Sequence, residues 1–235
     1  MADRPYTLLS CSMSIDGYLD TATAPRLQLS NDADFDRVDE VRASCDAILV
    51  GATTVRNDNP RLLIRSADRR ARRIELGMPP SPMKVTVTRH GQLDADANFF
   101  TLGDAEKIVY CTSAGATEVR RRLDSVATVV DAGERVDMQG LITDLGDRGI
   151  RRLIVEGGRT ILTQFLTAGL ADELQLVVAP FFVGDSRGCR FVDDGQFPWN
   201  PDHRATLADV RQIGDVVLLR YALSTRFSEP DYPGF

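Results

Sequence analysis

Glu156, Gly157 and Gly158 follow directly on an apolar, strand-like run and precede a helix-like segment. Glycines at such a junction let backbone N–H groups approach an anion, and the helix N-terminus adds an attraction of up to ~1 kcal/mol. Arg159 and Thr160 would add a cation and a hydroxyl group to the same turn. Two glycines alone fit a ligand-free strand-to-helix turn equally well. The carboxylate of Glu156 favours a binding site, because an acid at the end of a buried strand loses hydration and needs partners.

A second polar stretch, VGATTVRNDNPRLLIR, begins where another strand-like run ends in Gly51. Thr53 and Thr54 open a helical turn there, and their hydroxyl groups suit hydrogen bonds with a phosphate or a ribose. Asp58 would face the carboxyl edge of the sheet, where open α/β sheets bind ligands, and Arg65 would pair with an anionic group. The Asn-Asp-Asn-Pro run is also a favourable turn in its own right, so the spacing alone does not decide between site and turn.

Two further charged residues have plain structural explanations. Asp16 lies in the stretch SMSIDGYLD, and Asp-Gly at the end of a strand is more often a turn than a catalytic acid. Arg42 falls near the end of the first predicted helix, where the helix dipole favours a cation. From the residues alone, a turn for Asp16 and a helix-end cation for Arg42 are the preferred interpretations.

Strand-like and helix-like patterns alternate over most of the chain, which predicts an α/β fold with a mostly parallel central sheet. The last pattern consists of two strands joined at Gly214-Asp215, which predicts an antiparallel C-terminal hairpin. The arginine-rich residues 65–73 are interpreted as a solvated, mobile loop. Strands are predicted at residues 8–13, 46–51, 84–89, 107–112, 127–133, 153–155, 174–179 and within 204–223, and helices at 33–44, 115–126, 137–150 and after 158, with a short helical turn after 51.

Composition restricts the class of protein. The 235 residues are 43% hydrophobic and 26% charged, as in ordinary globular proteins, and no apolar run approaches the ~20 residues that cross a bilayer. The net charge of −6 argues against a nucleic-acid partner, which needs a basic face. Four widely separated cysteines and two histidines give no metal-site pattern. With no apolar leader sequence at the N-terminus, we expect a cytoplasmic protein with reduced thiols.

Domain organisation is expected to be simple. A chain of this length buries a substantial core, either as one large domain or as two small ones. No linker, repeat or low-complexity segment interrupts residues 1–224, which we interpret as one domain. The polar, proline-containing residues 225–235 are predicted to form a loose tail.

Three stretches together resemble one family. They are SMSIDGYLD, VRASCDAILVGATTVRNDNPRLLIR and LIVEGGRTILTQFLTAGLADELQLVVAPFFVGD, and their order and spacing are similar to those of the riboflavin-biosynthesis reductases, within the dihydrofolate-reductase-like superfamily. The resemblance implies a three-layer α/β sandwich and a homodimer. It also implies a stand-alone reductase, as in the archaeal and fungal enzymes, rather than the fused bacterial deaminase-reductase. It also implies hydride transfer from NADPH to C1′ of a phosphoribosylamino-pyrimidine, giving the ribitylamino product.

The same resemblance implies cofactor contacts on two stretches, with the pyrophosphate on the second. Arg89, which follows the strand-like KVTVT, is our candidate for the 2′-phosphate that distinguishes NADPH from NADH. The remaining implied cofactor contacts are Thr54, Asp58, Gly157, Gly158, Arg159, Thr160 and Ile161.

On the substrate side, the resemblance implies contacts from Arg42, Leu62, Arg65 and Glu156. The two arginines would neutralise the 5′-phosphate, because guanidinium groups bind such anions through paired hydrogen bonds. Glu156 would hydrogen-bond the pyrimidine or the sugar, and Asp16 would relay a proton. Glu156 and Asp16 are therefore the candidate catalytic residues.

Two other functions remain open on the sequence. One is a dihydrofolate-reductase-like reductase of a pterin, a folate or another small molecule, with the same cofactor site. The other is a non-catalytic nucleotide-binding protein, which would tolerate loss of the substrate-side residues. The presence of Arg42, Arg65 and Glu156 favours a phosphorylated substrate, since the glutamate of a folate would need cations elsewhere.

Overall fold

The computed structural model describes residues 4–23 and 26–227 and contains two compact units. The continuous unit is formed chiefly by Asp39–Ile154, and the discontinuous unit, within the described residues, by Tyr6–Val38 and residues 155–227. In chain order, the strands are β1 (Tyr6–Ser14), β2 (Tyr18–Asp20), β3 (Ala47–Gly51), β4 (Met83–Thr88), β5 (Lys107–Cys111), β6 (Thr128–Asp131), β7 (Arg152–Val155), β8 (Glu173–Ala179), β9 (Cys189–Arg190), β10 (Thr206–Ile213) and β11 (Val216–Ala222). The helices are α1 (Asp32–Ala43), α2 (Ala52–Asp58), α3 (Ala67–Glu75), α4 (Asn98–Thr101), α5 (Ser113–Leu123), α6 (Met138–Asp147) and α7 (Arg159–Thr167).

In the continuous unit, β3 pairs in parallel with β4, β4 with β5, and β5 with β6. Every residue of β3 is buried, as expected for a strand of a parallel sheet with both faces covered. In α6, Met138, Leu141, Ile142 and Leu145 recur at helical spacing and are all buried. Asp137 caps this helix by accepting a hydrogen bond from the Gly140 N–H at 3.0 Å.

In the discontinuous unit, β1 pairs in parallel with β8, which pairs antiparallel with β11, and β11 pairs antiparallel with β10. The hairpin closes through Ile213 opposite Val216, with Gly214 at a φ of 62° in the two-residue turn. Together with the parallel strands of the continuous unit, this arrangement confirms the prediction of an α/β fold with mostly parallel strands and an antiparallel C-terminal hairpin.

The predicted mobile loop at residues 65–73 is wrong, because most of these residues form α3. Ser66 caps the helix by accepting a hydrogen bond from the Arg69 N–H at 3.3 Å. Arg73 is completely buried, and its guanidinium donates to the carbonyl oxygens of Ala43, Cys45 and Pro79 at 2.7–2.8 Å. A basic side chain therefore holds the end of α1 and the loop that leads into β3, which composition alone does not indicate.

We expect Arg73→Met to lower the free energy of unfolding by ~3 kcal/mol, because it leaves three carbonyl groups without their donor. Denaturant unfolding measures the change. The control is Arg72→Met at the adjacent position, where a side chain that is 43% exposed pairs with Glu75 at 3.3 Å, and a change within ~0.5 kcal/mol is expected. Equal losses in the two variants would contradict the structural role of Arg73.

The start of the predicted tail is in contact with the discontinuous unit. The Arg226 guanidinium lies 3.3 Å from the Asp172 carboxylate, and the Phe227 ring lies 5.5 Å from the Arg220 guanidinium. The rest of the tail falls outside the described residues, so both the loose tail and the single domain over residues 1–224 remain predictions.

Candidate functional site

The turn after β7 has the local geometry of an anion site. Gly157 has a φ of 102°, which favours glycine, and the Gly157–Gly158 peptide bond is cis. Gly158 is the N-cap of α7, with an extended backbone and no side-chain hydrogen bond to the helix. The first N–H groups of α7 therefore receive no acceptor from a cap side chain, and these groups carry the positive end of the helix dipole.

The helix behind this turn is firmly packed. Ile161, Leu162 and Phe165 are buried on its inner face. The Arg159 guanidinium pairs with the Asp193 carboxylate at 2.8 Å, and the Asp193 N–H donates to the Thr163 hydroxyl at 2.9 Å. Arg159, a predicted cofactor contact, thus has a carboxylate partner on its own unit, while its side chain remains 41% exposed.

In the continuous unit, the predicted cofactor residues follow the carboxyl ends of two adjacent parallel strands. Thr54 lies in the first turn of α2, directly after β3, and α2 has no side-chain cap at Gly51. Asp58 is the last residue of α2 and is half-buried. Arg89 follows β4 and is exposed. This edge of a parallel sheet is the position at which α/β folds bind ligands.

An irregular segment, residues 59–66, carries two of the predicted substrate contacts. Asn59 ends α2 in a left-handed conformation, and Leu62, which is buried, has a φ of 48°. Such a conformation costs a non-glycine residue roughly 1–2 kcal/mol and occurs preferentially at functional sites. Arg65 exposes 60% of its side chain. Arg42 lies in the last turn of α1 and is half-buried.

Glu156 is half-buried between Val155, which is fully buried at the end of β7, and the glycine turn. It therefore lies on the discontinuous unit with the predicted pyrophosphate residues 157–161, whereas the predicted substrate arginines belong to the continuous unit.

Asp16 holds a loop of the discontinuous unit together. Its carboxylate accepts hydrogen bonds from the Ser14 hydroxyl at 2.6 Å, the Val183 N–H at 3.0 Å and the Gly184 N–H at 2.8 Å. These bonds, that from Ser14 foremost, lower the pKa of Asp16 to about 2. A carboxylic acid with this pKa is ionised near neutral pH and is a poor proton donor. The geometry gives Asp16 a structural part, and proton relay by Asp16 remains a prediction.

Sequence reasoning missed the polar residues that hold the 59–66 segment. The Asp39 carboxylate accepts hydrogen bonds from two backbone N–H groups of the segment, and the Ser81 hydroxyl accepts one from a third. The Arg70 guanidinium donates hydrogen bonds to two carbonyl groups of the segment. No spacing rule connects these positions, because they approach the segment through tertiary contacts.

Within the described residues, no group of histidine, cysteine, aspartate or glutamate side chains could hold a metal ion. No described helix is long and apolar enough for a membrane span.

Residues 5–219 match the family described as the RibD C-terminal domain. The chain is 34% identical to the 2,5-diamino-6-ribosylamino-4(3H)-pyrimidinone 5′-phosphate reductase of Archaeoglobus fulgidus, over 82% of this chain and 88% of that protein. It is 37% identical to the protein of the same name from Methanothermobacter thermautotrophicus, over 82% of this chain and 85% of that protein.

Solved structures agree on the fold. A pyrimidine reductase-like protein of Corynebacterium diphtheriae has a TM-score of 0.79 at 21% identity, covering 93% of this chain and 91% of that one. RibD of Acinetobacter baumannii has a TM-score of 0.76 at 24% identity over 93% of this chain, which spans only 58% of that protein. The family expected from the three sequence stretches is thus confirmed: the chain belongs to the RibD C-terminal domain family.

Proposed function

We propose that the protein is an NADPH-dependent reductase that transfers hydride to C1′ of a phosphoribosylamino-pyrimidine in riboflavin biosynthesis. The observation that carries this proposal is the 34–37% identity, over more than four fifths of each chain, to relatives named as pyrimidinone 5′-phosphate reductases. The same relatives disfavour a pterin or folate as substrate. The substrate-side residues disfavour a purely nucleotide-binding role.

The cofactor supplies hydride, and the chain supplies binding and alignment. The ring-opened sugar presents a C1′=N imine; hydride adds to C1′ while the nitrogen gains a proton, which leaves a ribitylamino group and the oxidised nicotinamide. The glycine turn fits a pyrophosphate, because Gly157 has a positive φ and α7 lacks a side-chain cap. We assign Thr54 and Asp58 to further cofactor contacts and the exposed Arg89 to the 2′-phosphate.

For the substrate, we assign Arg42 and Arg65 to the 5′-phosphate, Leu62 to an apolar contact, and Glu156 to the pyrimidine or the sugar. The irregular backbone at Leu62 supports this assignment, because a left-handed leucine persists only where surrounding contacts hold it. Asp16 remains a candidate for proton relay, opposed by the three hydrogen bonds that keep it ionised.

We further propose a homodimer in the cytoplasm. The edge strand β10 exposes Leu207 and Val210 at 49% and 53%, an apolar pair that a second copy would cover. The four cysteines are all free thiols, consistent with a reducing compartment. Light scattering coupled to size exclusion measures the mass in solution, and a monomer near 25.9 kDa would reject the dimer.

The reaction is tested by following NADPH oxidation spectrophotometrically with purified protein. Turnover should require the phosphoribosylamino-pyrimidine and be much slower with dihydrofolate. Comparable turnover with dihydrofolate would support the alternative reductase, and NADPH binding without turnover on either compound would support a non-catalytic protein.

Arg65→Ala should raise the KM for the phosphorylated substrate by ~10- to 150-fold, because a charge-assisted bond to phosphate contributes about 1.5–3 kcal/mol. Steady-state kinetics with the phosphorylated and dephosphorylated substrates measures the effect, which should vanish for the latter. Arg61→Ala is the control, since Arg61 is an exposed arginine of the same segment. An equal rise in KM for both substrates would remove Arg65 from the phosphate site.

A further inference from the structure

The 59–66 segment has no helix or strand of its own, yet side chains from other elements bind its backbone. Asp39, on α1, accepts hydrogen bonds from the Arg65 N–H at 2.6 Å and the Ser66 N–H at 3.1 Å, one through each carboxylate oxygen. Arg70, on α3, donates to the carbonyl oxygens of Ile64 at 2.8 Å and Arg65 at 2.7 Å. Both backbone polar groups of Arg65 are therefore held.

The Asp39 carboxylate and the Arg65 guanidinium differ in their exposure to solvent. Asp39 is 2% exposed and pairs with the Arg69 guanidinium at 3.1 Å. The Arg65 guanidinium is farther away, with its Nε 3.9 Å from the carboxylate, and the Arg65 side chain is 60% exposed. Because a buried carboxylate is costly unless its bonds are satisfied, this arrangement resists rearrangement of the Arg65 backbone.

We propose that Asp39 is a positioning residue that fixes the backbone at Arg65 and Ser66, so that the Arg65 guanidinium meets the substrate phosphate in one orientation. This inference rests on the proposed function, in which Arg65 binds that phosphate. A segment that is already ordered loses less conformational entropy on binding, so the gain appears as affinity for the phosphate. Asp39 acts through Arg65 and makes no contact with the substrate itself.

The test compares Asp39→Ala with Asp46→Ala. Asp46 is a matched control in the same unit, because its carboxylate also accepts two backbone N–H groups, those of Arg151 and Arg152, both at 2.9 Å. Both variants lose two such bonds, so both should lose stability. Only Asp39→Ala should raise the KM for the phosphorylated substrate, by about 10-fold, with kcat and the NADPH Kd within about twofold of wild type. Asp39→Asn keeps one acceptor oxygen, so it provides a milder variant with a smaller rise in KM.

A double-mutant cycle decides whether Asp39 acts through Arg65. In an Arg65→Ala background, Asp39→Ala should raise KM by less than about twofold more, since the two changes remove the same interaction. Equal KM values for the Asp39 and Asp46 variants, or full additivity with Arg65→Ala, would overturn the inference while leaving the proposed function intact. Absence of wild-type turnover on the phosphorylated pyrimidine would reject the proposed function, and the inference with it.

Discussion

Replacing Gly158 with valine is expected to raise the Kd for NADPH at least ~100-fold, because the branched side chain occupies the space that a pyrophosphate needs at the N-terminus of α7. The backbone of Gly158 has a φ of −75° and a ψ of −164°, a conformation that other residues adopt readily. The φ and ψ of Gly158 therefore do not exclude a valine side chain at this position.

Nicotinamide fluorescence in a titration with NADPH measures this loss directly and needs no substrate. Gly158→Ala, with a single methyl group, should give a smaller increase in Kd. Ala97→Val is the matched control, since Ala97 is also an extended N-cap without a side-chain bond to its helix, α4. Wild-type affinity in Gly158→Val would show that the pyrophosphate binds elsewhere.

The elements with a regular pattern were predictable from the sequence. The apolar residues of β3 are buried throughout, and the two-residue turn at Gly214 joins β10 to β11 as its sequence indicates. Local rules suffice there, because periodicity and turn chemistry are properties of adjacent residues. The glycine turn after β7 was located for the same reason.

Features that depend on partners distant in sequence were not predictable. The arginine-rich α3 looks like a solvated loop because nothing local indicates that Arg73 will be buried against carbonyls about 30 positions away, at Ala43 and Cys45. The hydrogen bonds that the Arg65 and Ser66 N–H groups donate to Asp39 join positions 26 and 27 apart. The composition of a segment gives the number of its charged side chains. Only the fold determines whether such a side chain is solvated at the surface or hydrogen-bonded in the interior.

Asp16 illustrates how a local rule and a family expectation can differ. The Asp-Gly pair predicted a turn, and the turn is present, with the Gly17 N–H donating to the Ser14 carbonyl at 3.0 Å. The carboxylate that the family resemblance makes a proton relay is occupied by Ser14, Val183 and Gly184. The sequence signal for the turn was local, whereas the bonds from residues 183 and 184 arise only in the folded chain.

Glu156→Gln is expected to lower kcat by ~100-fold while leaving the NADPH Kd within about twofold of wild type. The amide keeps the size of the side chain and removes its negative charge. In the proposed reaction the imine nitrogen gains a proton, and the Glu156 carboxylate would stabilise the positive charge that develops through a charged hydrogen bond, which contributes about 1.5–3 kcal/mol. The backbone N–H groups of the glycine turn and α7 are unchanged in this variant, so cofactor binding should persist.

Single-turnover and steady-state rates at saturating NADPH measure the effect on kcat. The fluorescence titration measures the effect on the NADPH Kd separately. Glu118→Gln serves as the control, because Glu118 is a carboxylate of the continuous unit that pairs with Arg121 and Arg122 on its own helix. If Glu156→Gln weakened NADPH binding and kept full kcat at saturation, Glu156 would belong to the cofactor site. The pair Gly158→Val and Glu156→Gln therefore distinguishes binding of the dinucleotide from chemistry on the sugar, although the two residues are only two positions apart.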